Sequence, residues 1–206
     1  DDRNGDRHYW NVWHSKEPIN SYNKARSRFF SEYGFQSFPE FESVKRYAPY
    51  PEDWDIYSEV MMAHQRGGAH ANGLIETYLL NEYRQPKDFE AFLYMNHVLQ
   101  GDAIKTAIEA HRRDMPYCMG TLFWQHNDCW PVASWASRDY YGRWKAQHYF
   151  ARQAYRDLLV SPIADEEGML NIYVVSDRPA SCSGTLDVKV IKLTGEIISD
   201  FRQTVK

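Results

Sequence analysis

The hydrophobic period of this chain changes several times along its length, and that succession restricts the folds open to it. Residues 28–35, Arg-Phe-Phe-Ser-Glu-Tyr-Gly-Phe, are rich in aromatics and punctuated by Gly34, which predicts a pleated strand. Helical spacing follows over Ser58–His64, Ala71–Tyr83 and, most clearly, Asp88–Arg113. In the last of these Asp88 stands as an N-cap, Phe92, Leu93, Ile104, Ala107 and Ile108 form the apolar face, Gly101-Asp102 is expected to kink it, and Pro116 marks its end. Residues 117–124 predict a second buried strand, 125–142 a loop, and Arg143–Leu159 a further helix. Beyond Pro162 the period becomes two: Leu170, Ile172 and Val174 alternate with other residues, then Leu186, Val188 and Val190, with turn signals at Asp177-Arg178-Pro179 and Thr194-Gly195-Glu196. Residues 1–27 read as a long loop, and 36–57, with Pro39, Pro49 and Pro51, as irregular chain holding one short helix near Val44.

The order strand, helices, strand, helix suits consecutive β/α units of a parallel sheet. Two such units cannot close an α/β barrel, which needs eight strands. The chain is therefore either a small α/β domain or the last part of a barrel followed by a sandwich. It opens without Met and its final strands stop at Lys206, which favours the second reading. The expected fold class is α/β, with residues 1–160 the C-terminal portion of a (β/α)8 TIM barrel and 161–206 the first strands of an antiparallel β-sandwich domain. On this reading the remaining domains of a parent polypeptide are its first partners.

Composition removes several functions. Net charge is −4 with Lys and Arg scattered, so nucleic-acid binding has no electrostatic footprint. No apolar run approaches the ~18 residues of a membrane helix. Cys118, Cys129 and Cys182 are odd in number and share no C-x-x-C spacing, and the gap between His64 and His70 crosses two glycines rather than a helical turn, so no metal site is expected. What stands out is aromatic content, 16%, gathered in polar company at Tyr9-Trp10-Asn11-Val12-Trp13-His14, at Phe123-Trp124-Gln125-His126-Asn127-Asp128, and at Trp130 and Trp135. Any one such Trp more often fills a core with its N–H satisfied. Three clusters together suit a sugar, which has apolar C–H faces and a rim of hydroxyls.

Glu32 ends the first strand in this aromatic setting, where a carboxylate is costly unless it is hydrogen-bonded or has a task. Either it pairs with a cation such as Arg28, or it is catalytic, since the C-terminal ends of barrel strands carry the chemistry. Trp124 and Gln125 end the second strand, and neighbouring strands lie about 4.8 Å apart, so carboxylate and indole can face one pocket. That pairing fits a glycosidase, in which one carboxylate attacks the anomeric carbon and a second, at ~5–5.5 Å in retaining enzymes, is the acid/base. Asp128 is the best local candidate for the second group, although an Asp there more usually holds its loop through Asx-type hydrogen bonds. His14 and, less so, His126 could bond a sugar hydroxyl.

These residues resemble a known family. Phe29-Phe30-Ser31-Glu32-Tyr33-Gly34-Phe35-Gln36-Ser37-Phe38-Pro39 is similar to the nucleophile motif of the β-mannosidases of glycoside hydrolase family 2. Gly120-Thr121-Leu122-Phe123-Trp124-Gln125-His126-Asn127-Asp128-Cys129-Trp130-Pro131 resembles that family's last-strand motif, Trp-Gln-x-Asn-Asp-x-Trp. The likeness continues through Trp135, Tyr140 to Lys145 and His148-Tyr149, takes in His64-Gln65-Arg66, and covers roughly residues 6–175. It implies a barrel flanked by β-sandwiches and retaining, exo-acting hydrolysis of terminal β-mannosides without metal or organic cofactor. It implies Glu32 as nucleophile on the seventh strand and Trp124 as the eighth-strand platform. It also implies that Trp10, Trp13 and His14 reach the sugar or its aglycone, and that Gln125, Asp128 and Trp130 lie on the substrate side. The acid/base of the family sits in an Asn-Glu pair on the fourth strand. Asn81-Glu82 is the only such pair here, and it falls in a helical stretch after Glu32, so the role is not transferred and the acid/base is expected upstream. Other family 2 exo-glycosidases, acting on galactosides or glucosaminides, and a non-catalytic sugar-binding module are the alternatives. Compartment follows only by family: periplasmic or secreted in a bacterium, lysosomal in an animal.

Overall fold

A computed structural model describes residues 5–205, which divide into two compact units between Arg156 and Asp157. The first is α/β. Its elements are β1 (Asp6–His8), β2 (Phe29–Glu32), α1 (Phe41–Tyr47), α2 (Glu59–Ala63), α3 (Ala71–Glu82), α4 (Phe89–Arg113) and α5 (Ala146–Ala154), with a 3-10 turn at Ile19–Lys24. The segment read as featureless loop thus contains a strand, β1, which pairs in parallel with β2.

β2 lies between β1 and an extended segment, residues 119–124. Met119 N donates to Arg28 O (3.0 Å), Phe30 N to Gly120 O (2.9 Å), Leu122 N to Phe30 O (2.8 Å) and Trp124 N to Tyr33 O (2.7 Å). The second strand expected from sequence is therefore an extended, hydrogen-bonded partner, regular only at the parallel bridge Phe30↔Thr121. The reason lies in β2. Toward β1 the register jumps from Arg7↔Phe30 to His8↔Glu32. Toward 119–124 the acceptor advances three residues, Phe30 to Tyr33, while the donor advances two. β2 carries one extra residue against both neighbours, a bulge that ends regular pairing and re-aims the side chain there, which is Glu32.

Beneath the strands, Phe30, Tyr33, Phe35 and Phe38 are fully buried. Phe30 stacks on His111 of α4 at 3.7 Å, and burial pushes that imidazole down to about 3, so it packs as a neutral ring. α4 begins where its N-cap predicts: Asp88 accepts from Ala91 N at 2.7 Å. It runs unbroken through Gly101. The glycine is a contact point, since a Cβ there would meet the Phe150 ring of α5 at 2.6 Å.

In the second unit β3 (Leu158–Ala164) pairs antiparallel with β4 (Leu170–Ser176), and β5 (Gly184–Ile191) with β6 (Ile197–Val205). Gly168 (φ 81°) and Gly195 (φ 91°) take the left-handed conformation that these turns demand. The helix expected to reach Leu159 ends at Ala154, because Leu159 and Ser161 are buried in alternation with exposed Leu158 and Val160, a strand period.

Candidate active site at the end of the central strand

The bulge leaves the Glu32 side chain 28% exposed at the end of β2. The chain leaving β1 turns at once over it. Tyr9 N donates to Glu32 O (2.7 Å), and His14 N to Trp10 O (2.7 Å). That four-residue turn puts Trp10 and His14 on one side, with ring centroids 5.1 Å apart. From there the Trp10 indole N–H donates to Glu32 Oε2 at 3.0 Å, and His8 Nδ1 lies 3.3 Å from the same oxygen. The turn is held from behind by Glu17, whose carboxylate accepts from Tyr9 Oη (2.9 Å) and Asn11 Nδ2 (3.0 Å), and by Tyr78 Oη, which donates to the backbone oxygens of Glu17 (2.7 Å) and Val12.

Trp13, in the same turn, does not join them. Expected at the ligand, it is 1% exposed and belongs to the core: it stacks parallel to Tyr78 at 6.0 Å and meets Phe35 edge-on at 5.0 Å. The correction follows from packing: the Trp13 ring is taken up by Tyr78 and Phe35, whereas the Trp10 N–H is drawn to the Glu32 carboxylate. His14 stays exposed, and burial followed by the nearby His70 lowers its pKa, favouring the neutral ring.

On the other flank Trp124 is 42% exposed, with its backbone anchored to Tyr33. Gly34 is what allows this closeness. A Cβ there would stand 2.5 Å from Trp124 O, 2.9 Å from the Trp10 ring and 3.0 Å from Trp135. Trp135 meets Trp10 edge-on at 6.0 Å, closing the aromatic wall.

The loop after Trp124 is tied into a finger. Gln125 N donates to Trp135 O (3.1 Å), Ser137 N to Gln125 O (3.0 Å), and Asp128 N to Arg138 O (3.1 Å). Asp128 is 8% exposed and accepts from Ser134 Oγ at 2.8 Å. Burial raises its pKa, against the pull of Lys145 and the Ser134 bond. One of its carboxylate oxygens thus ties the loop through Ser134. Trp130, 36% exposed, packs on His64 at 5.6 Å; His64 in turn stacks on Tyr47 at 4.3 Å and bonds Pro131 O at 2.6 Å. His126 is exposed near Trp144 (5.9 Å).

The structure brings Glu32, Trp10 and His14 together at the end of β2, with the Trp124 backbone bonded to Tyr33 on the neighbouring segment and Gln125 following directly. Sequence reading gives no role to His8 or Lys145, while Trp135 is among its aromatic clusters. Asn81-Glu82 closes α3, as the helical spacing suggested. Among the described residues no group of His, Cys, Asp and Glu could hold a metal ion, no helix is long and apolar enough to cross a membrane, and Cys118, Cys129 and Cys182 are free thiols.

No protein-family model matches the chain. Among curated proteins it is 35% identical over 198 residues to a protein of Capra hircus named β-mannosidase, covering 90% of this chain and 22% of that protein. It is 35% identical over 149 residues to β-mannosidase B of Aspergillus niger, covering 70% of this chain and 18% of the relative. Among solved structures, β-D-mannosidase from Dictyoglomus thermophilum superposes with a TM-score of 0.85 at 31% identity, over 98% of this chain and 26% of that one. The chain thus spans about a fifth to a quarter of the proteins it matches.

Proposed function

We propose that this chain, a homologue of one segment of the β-mannosidases, carries the nucleophile side of a retaining exo-β-mannosidase active site. In this reading residues 1–160 are the C-terminal portion of a (β/α)8 barrel, residues 161–206 open a β-sandwich domain, and the rest of a longer polypeptide supplies the acid/base carboxylate. The substrate is a terminal, non-reducing β-D-mannoside, and neither metal nor organic cofactor takes part.

One observation carries the assignment. The Glu32 carboxylate is bulged out of regular pairing at a strand end, held by the Trp10 indole and flanked by Trp124. The Trp10 N–H holds one carboxylate oxygen in place at the strand end, and the carboxylate is the form that attacks. A carboxylate oxygen of Glu32 forms a bond to the anomeric carbon while the glycosidic C–O bond breaks, and the leaving oxygen takes a proton from the acid/base group. Water, deprotonated by that same group, then attacks the glycosyl ester and releases mannose with retained configuration. Trp124 offers an aromatic platform to the sugar. Trp10, His14, Gln125 and Trp130 are the neighbouring candidates for hydroxyl and aglycone contacts, and Trp13 supports Trp10 and Trp135 from the core.

The test uses the longer natural polypeptide that carries this chain. Wild type is assayed on aryl β-mannoside, β-galactoside and β-glucosaminide, and Glu32→Ala on the preferred one. Preference for the mannoside and loss of its turnover in the variant are expected. Preference for another glycoside overturns the substrate assignment, and Glu32→Ala turnover near wild type overturns the nucleophile assignment.

A further inference from the structure

The two oxygens of Glu32 are not equivalent. Trp10 Nε1, at 3.0 Å, and His8 Nδ1, at 3.3 Å, both approach Oε2, whereas Oε1 meets no hydrogen-bond donor among the described residues. The cause is the double bulge of β2. By skipping Ser31 in the pairing with β1, it sets His8 directly across from Glu32, and the Trp10 side chain then arrives from the turn that follows. Ser31, the skipped residue, is turned to Asp6 instead, 2.5 Å from its carboxylate.

From this geometry we infer that Oε1 is the attacking oxygen and that His8 is a positioning residue, which shares with Trp10 the task of fixing Oε2. The inference rests on the reading of Glu32 as nucleophile. With the Trp10 N–H bonded to Oε2, the His8 ring beside the same oxygen stops rotation of the carboxylate about its terminal torsion, a torsion with a broad preference of its own. Oε1 keeps its lone pair directed at the anomeric carbon. When the bond to that carbon forms, Oε2 becomes the carbonyl oxygen of the ester and retains its two neighbours.

A glycosyl fluoride isolates the step, because fluoride departs with its electron pair and needs no proton from an acid. The wild-type polypeptide, His8→Ala and His8→Asn are treated with 2-deoxy-2-fluoro-β-mannosyl fluoride. The saturating inactivation rate, the inhibitor concentration at half-saturation and the thermal midpoint are measured for each. Peptide mapping then locates the label. His8→Ala is expected to slow the saturating rate about tenfold through loss of carboxylate alignment, with half-saturation and thermal midpoint unchanged. His8→Asn, whose amide N–H falls near the place of Nδ1–H, is expected to return to within about threefold of wild type. Wild-type inactivation by His8→Ala overturns the inference, as does a His8→Asn variant no faster than His8→Ala. A label on any residue but Glu32 overturns the nucleophile reading itself, a result distinct from either rate.

Discussion

Around Glu32 the polar groups point at a carboxylate that is open on one side; five residues along, at Ser37, they close on one another. Ser37 Oγ donates to Gln100 Oε1 (2.7 Å), and Gln100 Nε2 to Phe35 O (2.9 Å). Lys145 Nζ, fully enclosed, donates to Ser37 O (2.8 Å), Ser37 Oγ (3.1 Å) and Ser134 O (3.1 Å), while Ser134 Oγ reaches Asp128. This layer joins the chain after β2, helix α4, the loop after Trp124 and the start of α5. Gln36 is its exception, a buried amide without a partner among the described residues. The difference separates two kinds of importance. In the proposed reading the rim holds groups that act on a substrate, and the layer holds the rim's backbone in register. Substitution of rim residues should change chemistry with little effect on folding, and substitution in the layer should do the reverse.

The sharpest contrast sets Glu32 against Lys145, both tested in the longer natural polypeptide. Glu32→Ala is expected to lower turnover by at least about a thousandfold, as loss of a covalent nucleophile does, with stability within about 0.5 kcal/mol of wild type. Lys145→Ala is expected to lower stability by about 3–5 kcal/mol, because the carbonyls and the Asp128 carboxylate are left buried without their cation. Urea unfolding of the two variants tests both statements. A Lys145→Ala protein as stable as wild type would erase the distinction between rim and layer.

The pH dependence of that lysine sharpens it. Burial pushes Lys145 down to about 8, against Asp128 and Asp139, which favour its charge. The unfolded chain releases that proton near the ordinary value of 10.5, so between these values the unfolded state binds more protons and stability rises with pH. The burial penalty is fully present below about pH 8 and relieved toward pH 10.5. The gain is about 3 kcal/mol at about 1.4 kcal/mol per pKa unit. The stability difference between wild type and Lys145→Ala should widen by this amount from pH 7.5 to 10.5. A constant difference would mean that the ammonium is well solvated.

Two tryptophans three residues apart make the next comparison. Trp13→Ala empties a core position and is expected to reduce stability by about 3–5 kcal/mol. Trp10→Phe keeps the ring and deletes the N–H to Glu32, so it should lower turnover about tenfold with a stability change under about 1 kcal/mol. Equal effects at the two positions would break the assignment of Trp10 to the rim. A smaller effect is expected at Gly34, where Gly34→Ala forces a methyl against Trp124 O and reduces stability by about 1–3 kcal/mol.

The sequence made the site legible where chemistry is local. The aromatic run before Gly34 marked a strand ending near Glu32, and Asp88 marked the start of α4. Helices and hairpins followed from period, and the motifs around Glu32 and Trp124 brought the two strand ends together. What stayed hidden depends on partners distant in sequence. β1 is three residues long and has meaning only beside β2. The bulge exists only in the mismatch of two registers. Lys145, between Trp144 and Ala146, reads as an ordinary solvated lysine until Ser37 and Ser134 are seen to enclose it. Trp13 and Trp10 are alike in sequence, and only partners distant in the chain, Phe35 and Tyr78 for one and Glu32 for the other, assign them to the core and to the carboxylate.

The most direct measurement is the anomeric configuration of the product formed by Glu32→Ala in the presence of azide. With the carboxylate gone, azide should enter from the face that Glu32 occupied. NMR of the product of an activated aryl β-mannoside should then show α-mannosyl azide, together with restored turnover. Turnover that azide does not restore, or a β-configured azide, would contradict the assignment of Glu32 as nucleophile.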